Sequence, residues 1–238
     1  MDNLFSHLTV ADIHQDLLRN IVALSESEDP FDDLSSNPEE LVLARQVESD
    51  ARPLPYQSHT PEIHRPFEDA LWFKAITWPF KNWQANRFSD GSFGVWYGSD
   101  TFETSVHESA YHWVRGLLCD AGFEHEEVII ERTLYAVACD AILLDFRPVA
   151  THSTLLHKTD YTFTQSVGAR IHREGHPGLL TLSARHQGGL NYAILNPNVL
   201  FNPGLQSQLS YRIHGQTIMV EGNHGAPCME IAIDALWS

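Results

Sequence analysis

Apolar residues first recur at a helical interval near the start of the chain. Ile13, Leu17, Ile21 and Leu24 fall on one stripe, preceded by Thr9 and Asp12 in capping-box-like spacing, and predict an amphipathic helix over residues 9–25. The acidic, turn-rich stretch S-E-S-E-D-P-F-D-D-L-S-S follows. Asn37-Pro38-Glu39-Glu40 then supplies a cap, a proline at the first helical position and acids in the first turn, so a second helix is expected to end near Ser49. The two prolines of A-R-P-L-P-Y favour extended backbone and mark a linker. Residues 1–55 are therefore expected to be an N-terminal helical extension, and residues 56–238 the main domain. At ~1.5–3 kcal/mol for each fully buried aliphatic side chain, the 13/17/21/24 stripe should dock on its own domain or on a second subunit in a homodimer.

Beyond residue 56 the pattern changes to short strand-like runs at 94–97, 128–138, 180–183, 192–195, 211–220 and 229–233. Helical periodicity is clear mainly at 101–118. There Asp100 and Glu103 have capping-box spacing, and Val106, Ala110, Trp113, Val114 and Leu117 form the expected buried stripe. Many strands with few helices predict an α+β domain, with no internal repeat.

The charge balance narrows the partners. Fifteen Lys+Arg against 31 Asp+Glu leave a net charge of −16, which repels a polyanion and argues against nucleic-acid binding. A small anion needs only two or three convergent cations in a cleft, which makes the arginines the residues to follow. The three cysteines contain no C-x-x-C pair, so neither a disulfide framework nor a structural zinc site is expected; they read as cytosolic core thiols. The N-terminus lacks a basic region leading into an apolar run, and nowhere does an apolar stretch approach ~18 residues. The expectation is a cytoplasmic protein that does not enter the membrane.

Several short motifs carry little. His107 and His112 are five apart, so on a helix of ~100° per residue their rings diverge by ~140° and cannot share a zinc ion in the manner of a metalloprotease. His172 and His176 have the right spacing, but Gly175 and Pro177 flank the second and no third ligand follows. Ser183, in T-L-S-A-R, lacks the glycines of a nucleophile elbow. G-S-F-G-V-W-Y-G has neither the Lys-Ser/Thr of a P-loop nor the context of a dinucleotide fingerprint.

The combination says more. R-F-S-D-G-S-F-G-V-W-Y-G-S-D-T-F-E-T-S-V-H-E, followed by L-S-A-R-H-Q-G-G-L-N-Y-A-I-L-N-P, resembles the RES family over roughly residues 60–205. Arg87 matches the arginine that opens a turn in that family, Tyr97 the tyrosine ending the next strand, Glu108 the helical glutamate and Ser183 the distant serine. An earlier family arginine is matched by Arg65. Phe88-Ser89 stand where relatives often have Trp-Asn, and His107 where they have Ala or Leu.

The resemblance implies a fold like that of ADP-ribosyltransferases, with NAD⁺ in the cleft of a split β-sheet and no metal. It further implies cleavage of the nicotinamide–ribose bond by inorganic phosphate or water, a toxin role that depletes NAD⁺, and in many relatives an antitoxin that blocks the cleft. Residue chemistry suits this activity. Glu108 can stabilise an oxocarbenium ion, and Arg87 and Arg65 can hold a diphosphate or an attacking phosphate through forked donors. Tyr97 can stack on nicotinamide, and Ser183 can bond a phosphate or the carboxamide. Two other readings compete: an ADP-ribosyltransferase acting on a macromolecule, and an inactive RES-like interaction module whose Glu108 would face bulk solvent.

Overall fold

Residues 9–22 form the strand β1 (Thr9–Val22), not the predicted helix. The computed structural model describes residues 2–23, 71–123, 126–150, 154–222 and 226–236. The second predicted helix, the A-R-P-L-P-Y linker, Leu24 and Arg65 lie outside the described residues.

β1 runs antiparallel to β3 (Ile129–Asp145) over its whole length, from Thr9↔Asp145 to Val22↔Arg132. A spacing of four serves a strand as well as a helix, because every second side chain of a strand shares a face. Ile13 and Leu17 accordingly point together into the core, at 7% and 0% exposure. The positions between and beyond them on that face are Gln15 and Arg19, whose polarity hides the strand period. Gln15 donates to the Tyr192 hydroxyl at 3.0 Å, and Arg19 lines a cavity. Residues 9–22 are thus an integral strand, which corrects the expected helical extension.

The other strands are β2 (Trp96–Ser99), β4 (Gly178–Leu182), β5 (Leu190–Ile194), β6 (Leu200–His214), β7 (Thr217–Glu221) and β8 (Pro227–Ala232). β2, β5 and β4 make a small antiparallel half, while β1, β3, β6, β7 and β8 make a large one. Among the described residues the halves join only at Leu18↔Ser99 between β1 and β2, and at Leu144↔Leu179 and Asp145↔Leu180 between β3 and β4. Parallel pairing occurs only at the second seam among the described strands. An α+β fold with a split sheet results.

Helix α1 (Phe102–Tyr111) covers the large half. Val106, Ala110, Trp113 and Val114 pack on Leu209, Tyr211, Ile218 and Val220. Residues His112–Leu118 continue α1 with wider, i→i+5 winding. Each residue there advances by less than the ordinary ~100°, so Leu118 rather than the predicted Leu117 reaches the buried stripe. Leu118 is 2% exposed and Leu117 54%. Helix α2 (Thr162–Glu174) ends at Gly175, whose φ of +78° suits a left-handed cap. Its Val167 and Ile171 pack beneath Phe88, Leu179 and Leu195. Its helical period is faint in the sequence because Thr164 and Gly168 fill half of its buried stripe. Among the described residues no helix is long and apolar enough to cross a membrane. All three cysteines are free; Cys139 is buried, but Cys228 is exposed and is not the core thiol expected.

Candidate active site

Where the sheet splits, a cavity of about 710 Å³ opens between β1, β2, β5 and α1, and its lining includes Arg87, Tyr97 and Glu108. Glu108 is presented by the local fold at its helix start. The Asp100 carboxylate accepts from Leu190 N at 3.0 Å, while the extended Thr101 caps α1 by accepting from Thr104 N at 3.2 Å. The cap is therefore Thr101, one residue beyond the predicted Asp100. From the second turn, half-buried Glu108 faces β5 and the loop after β4. Its Oε1 accepts from Ser183 Oγ at 2.6 Å and from Asn191 Nδ2. Ser183 Oγ in turn accepts from the backbone N–H groups of Arg185 and His186, both at 3.0 Å. Asn191 is fixed by Ser99 Oγ, which donates to its Oδ1 at 2.9 Å. One oxygen of the carboxylate is thus pinned, and Oε2 takes no hydrogen bond among the described residues.

Arg87 sits on a turn built by Asn86, whose Oδ1 accepts from Phe88 N at 3.0 Å, Ser89 N at 2.9 Å and Tyr97 Oη at 2.7 Å. Phe88 N also donates to Tyr97 Oη at 3.1 Å. Tyr97 therefore ties the start of β2, not the strand end expected, to the arginine turn, and burial pushes its phenol above the ordinary range. Arg87 Nη1 donates to Leu155 O at 3.2 Å and His157 O at 2.9 Å, and its guanidinium lies 4.7 Å from the Tyr161 ring centre. Burial lowers the Arg87 pKa, with Tyr161 and Glu108 pulling the other way. Its Nε and Nη2 make no hydrogen bond among the described residues.

Helix α2 holds this turn from below. A Cβ built on Gly168 would lie 1.8 Å from Phe88 O. Glycine to alanine in a helix interior ordinarily stabilises by ~0.5–1 kcal/mol, yet here the helix must move off the turn, an overpacking cost of ~1–3 kcal/mol. Gly168→Ala should therefore lower the denaturant midpoint; a raised midpoint would show that α2 does not press on the Arg87 turn.

Arg87, Tyr97, Glu108 and Ser183 are brought to this one cleft although Arg87 and Ser183 are nearly a hundred positions apart. Several of its residues had no role in the sequence reading. Asn86 directly precedes Arg87 and carries the signal of a side chain bonding the backbone two residues on. Asn191 stands in the quoted L-N-Y segment. Arg19 gave no signal, because it belongs to the misread strand. Its Nη1 donates to Tyr97 O at 3.0 Å, and its guanidinium lies 5.3 Å from the Trp96 ring centre. Its Nε is shielded and without a partner among the described residues. Burial first, and Arg132 second, push Arg19 below the ordinary guanidinium range.

The cavity is cationic within an acidic protein: Arg19, Arg87, Arg115 and Arg132 line it against Glu108 and Asp120. The histidines are disposed otherwise. His107 stacks on His186 with ring centres 4.8 Å apart, His112 meets the edge of Tyr111, and His172 stacks on Phe93. No three His, Cys, Asp or Glu side chains cluster as a metal site among the described residues.

The cleft of the split sheet thus holds one pinned carboxylate among several arginines. The family model of the RES domain matches residues 55–214, and the chain belongs to the RES-domain family. β1, with Arg19, precedes the matched region. A similar solved structure is the crystal structure of the M. tuberculosis MbcT–MbcA toxin–antitoxin complex. It matches at 12% identity with a TM-score of 0.46, covering 88% of this chain and 90% of that chain. No curated protein matches the chain.

Proposed function

We propose that the protein cleaves the nicotinamide–ribose bond of NAD⁺, passing the ADP-ribosyl group to inorganic phosphate or to water. The observation that carries this reading is the state of Glu108: one oxygen is pinned by Ser183 and Asn191, and the other is open to an arginine-lined cavity.

Bond cleavage builds positive charge on the ribose, and nicotinamide departs as a neutral molecule because its ring nitrogen was cationic. No strong general acid is needed. The main demand is a carboxylate held where positive charge develops, since reorganising it during the reaction would forfeit the electrostatic gain. Ser183 and Asn191 meet that demand by fixing Oε1 while leaving Oε2 free. The open Nε and Nη2 of Arg87 suit one phosphoryl group of the substrate. Arg19 offers a further guanidinium for a phosphoryl group, beside the expected role of Arg65. Tyr97 holds the Arg87 turn through its hydroxyl, and it lines the cavity in which its ring can stack on nicotinamide.

With phosphate, the C1″–N bond breaks, a phosphate oxygen bonds C1″, and nicotinamide and ADP-ribose 1″-phosphate are released. The family resemblance extends the reading to a toxin that depletes NAD⁺ and is restrained by an antitoxin covering the cleft. Incubating the pure protein with NAD⁺, with and without phosphate, and identifying products by mass tests the reaction. Free nicotinamide with ADP-ribose or its 1″-phosphate is expected. Intact NAD⁺, or ADP-ribose found only on protein, would overturn it.

A further inference from the structure

Arg132 is a buried arginine that the proposed reaction does not use. It projects from β3 and is 8% exposed. Its Nε donates to Asn20 Oδ1 at 2.6 Å and its Nη2 to Asn20 O at 2.8 Å. Asn20 Nδ2 donates to Tyr211 Oη at 2.7 Å, and that hydroxyl lies 2.8 Å from Ser109 Oγ on α1. The Arg132 guanidinium also sits 5.6 Å from the Tyr211 ring centre. One edge of the fork is thereby caged by neutral groups. Nη1 makes no hydrogen bond among the described residues, and Arg132 lines the cavity.

The neighbouring cation is Arg19, from the residue beside Asn20 on β1. Neither arginine has a carboxylate within ion-pair distance among the described residues, and each guanidinium keeps a nitrogen without a partner. Removing a charge from water is costly unless it is paired. Two such charges lining one cavity, with no carboxylate beside either among the described residues, suit a bound anion.

We propose that Arg132 and Arg19 form a phosphoryl-binding subsite in the cavity wall, separate from the open donors of Arg87. The ligand is a phosphoryl group, either free phosphate or part of the substrate's diphosphate. It rests on the NAD⁺ reading only for that second source. The two neutral anchors, Asn20 and Tyr211, hold the guanidinium plane so that the free edge is aimed without consuming its charge. A purely structural Arg132 would only fasten β3 to β1 through Asn20.

The test uses the full-length protein as wild type, Arg132→Gln and Arg132→Lys. Thermal midpoints are measured over a series of inorganic phosphate concentrations without NAD⁺, at constant ionic strength set with chloride. Wild type should gain stability with phosphate, and Arg132→Gln should weaken phosphate binding roughly tenfold or more, as expected on losing a charged hydrogen bond. Arg132→Lys, which keeps the charge without the fork, should fall between them. A lower starting midpoint in the Gln variant reports only the lost Asn20 bonds; the phosphate-dependent increment is the readout.

A second arm measures KM and kcat for NAD⁺. If free phosphate does not bind, but Arg132→Gln raises KM for NAD⁺ tenfold with kcat little changed, the subsite stands and its ligand is the substrate's diphosphate. Equal phosphate increments in wild type and Arg132→Gln, with KM for NAD⁺ unchanged, overturn the subsite. If wild type releases no nicotinamide, the NAD⁺ reading fails and the phosphate series alone decides this one.

Discussion

Glu108→Gln is expected to lower nicotinamide release by ~10²–10³-fold, with the fold intact and NAD⁺ affinity little changed. The amide can keep its oxygen in the place of Oε1, accepting from Ser183 and Asn191, and put its nitrogen where Oε2 stands. Shape and both pinning bonds survive. What is lost is the charge facing the developing cation, and an interaction realised only in the transition state appears in kcat rather than in binding. A merely exposed helix acid would give under ~0.5 kcal/mol in stability and no change in activity.

Leu17→Ala should cost ~2–5 kcal/mol, the range for truncating a fully buried leucine. Leu17 is 0% exposed and packs in the cluster of Ile13, Trp96, Val137, Tyr192 and Ile194, which spans both halves of the sheet. Because Arg19 lies two residues on along the same strand, loosening β1 should also cost activity. On a docked helical appendage the same change would leave the catalytic domain's own unfolding transition in place. A denaturant melt with one transition shifted to lower concentration is the expected record; an unchanged midpoint would contradict the placement of β1 in the core.

Those two residues mark the limits of what the chain's pattern discloses. Every strand-like run after residue 90 has a counterpart in the sheet, and helix α1 lies where Val106, Ala110 and Val114 place it, because their burial follows an unbroken period. The run at 211–220 proved to be parts of two strands, β6 and β7, around a turn at Gly215. β1 was misread because its inward face alternates aliphatic residues with Gln15 and Arg19. Those two are polar for reasons of site and tyrosine contact, and a face that builds a cavity cannot also show clean alternation. The spacing 13, 17, 21 then fits either structure.

The site follows the same logic. Arg87, Tyr97, Glu108 and Ser183 were named through a family pattern, which records their joint spacing but not their partners. Asn86 and Asn191 act by hydrogen bonds to those residues, and an asparagine beside an arginine or within a strand has many duller roles. Arg19 and Arg132 face each other's strands only after β1 pairs with β3, at positions 113 apart in the chain. Long-range pairing of that kind leaves no local trace.

The most direct test of the central claim measures nicotinamide release and NAD⁺ binding by wild-type and Glu108→Gln protein side by side, at one phosphate concentration. The account predicts that both proteins bind NAD⁺ with similar affinity and that the wild type alone releases nicotinamide at an appreciable rate. Wild-type-like release by Glu108→Gln, or no release by the wild type despite binding, would contradict it.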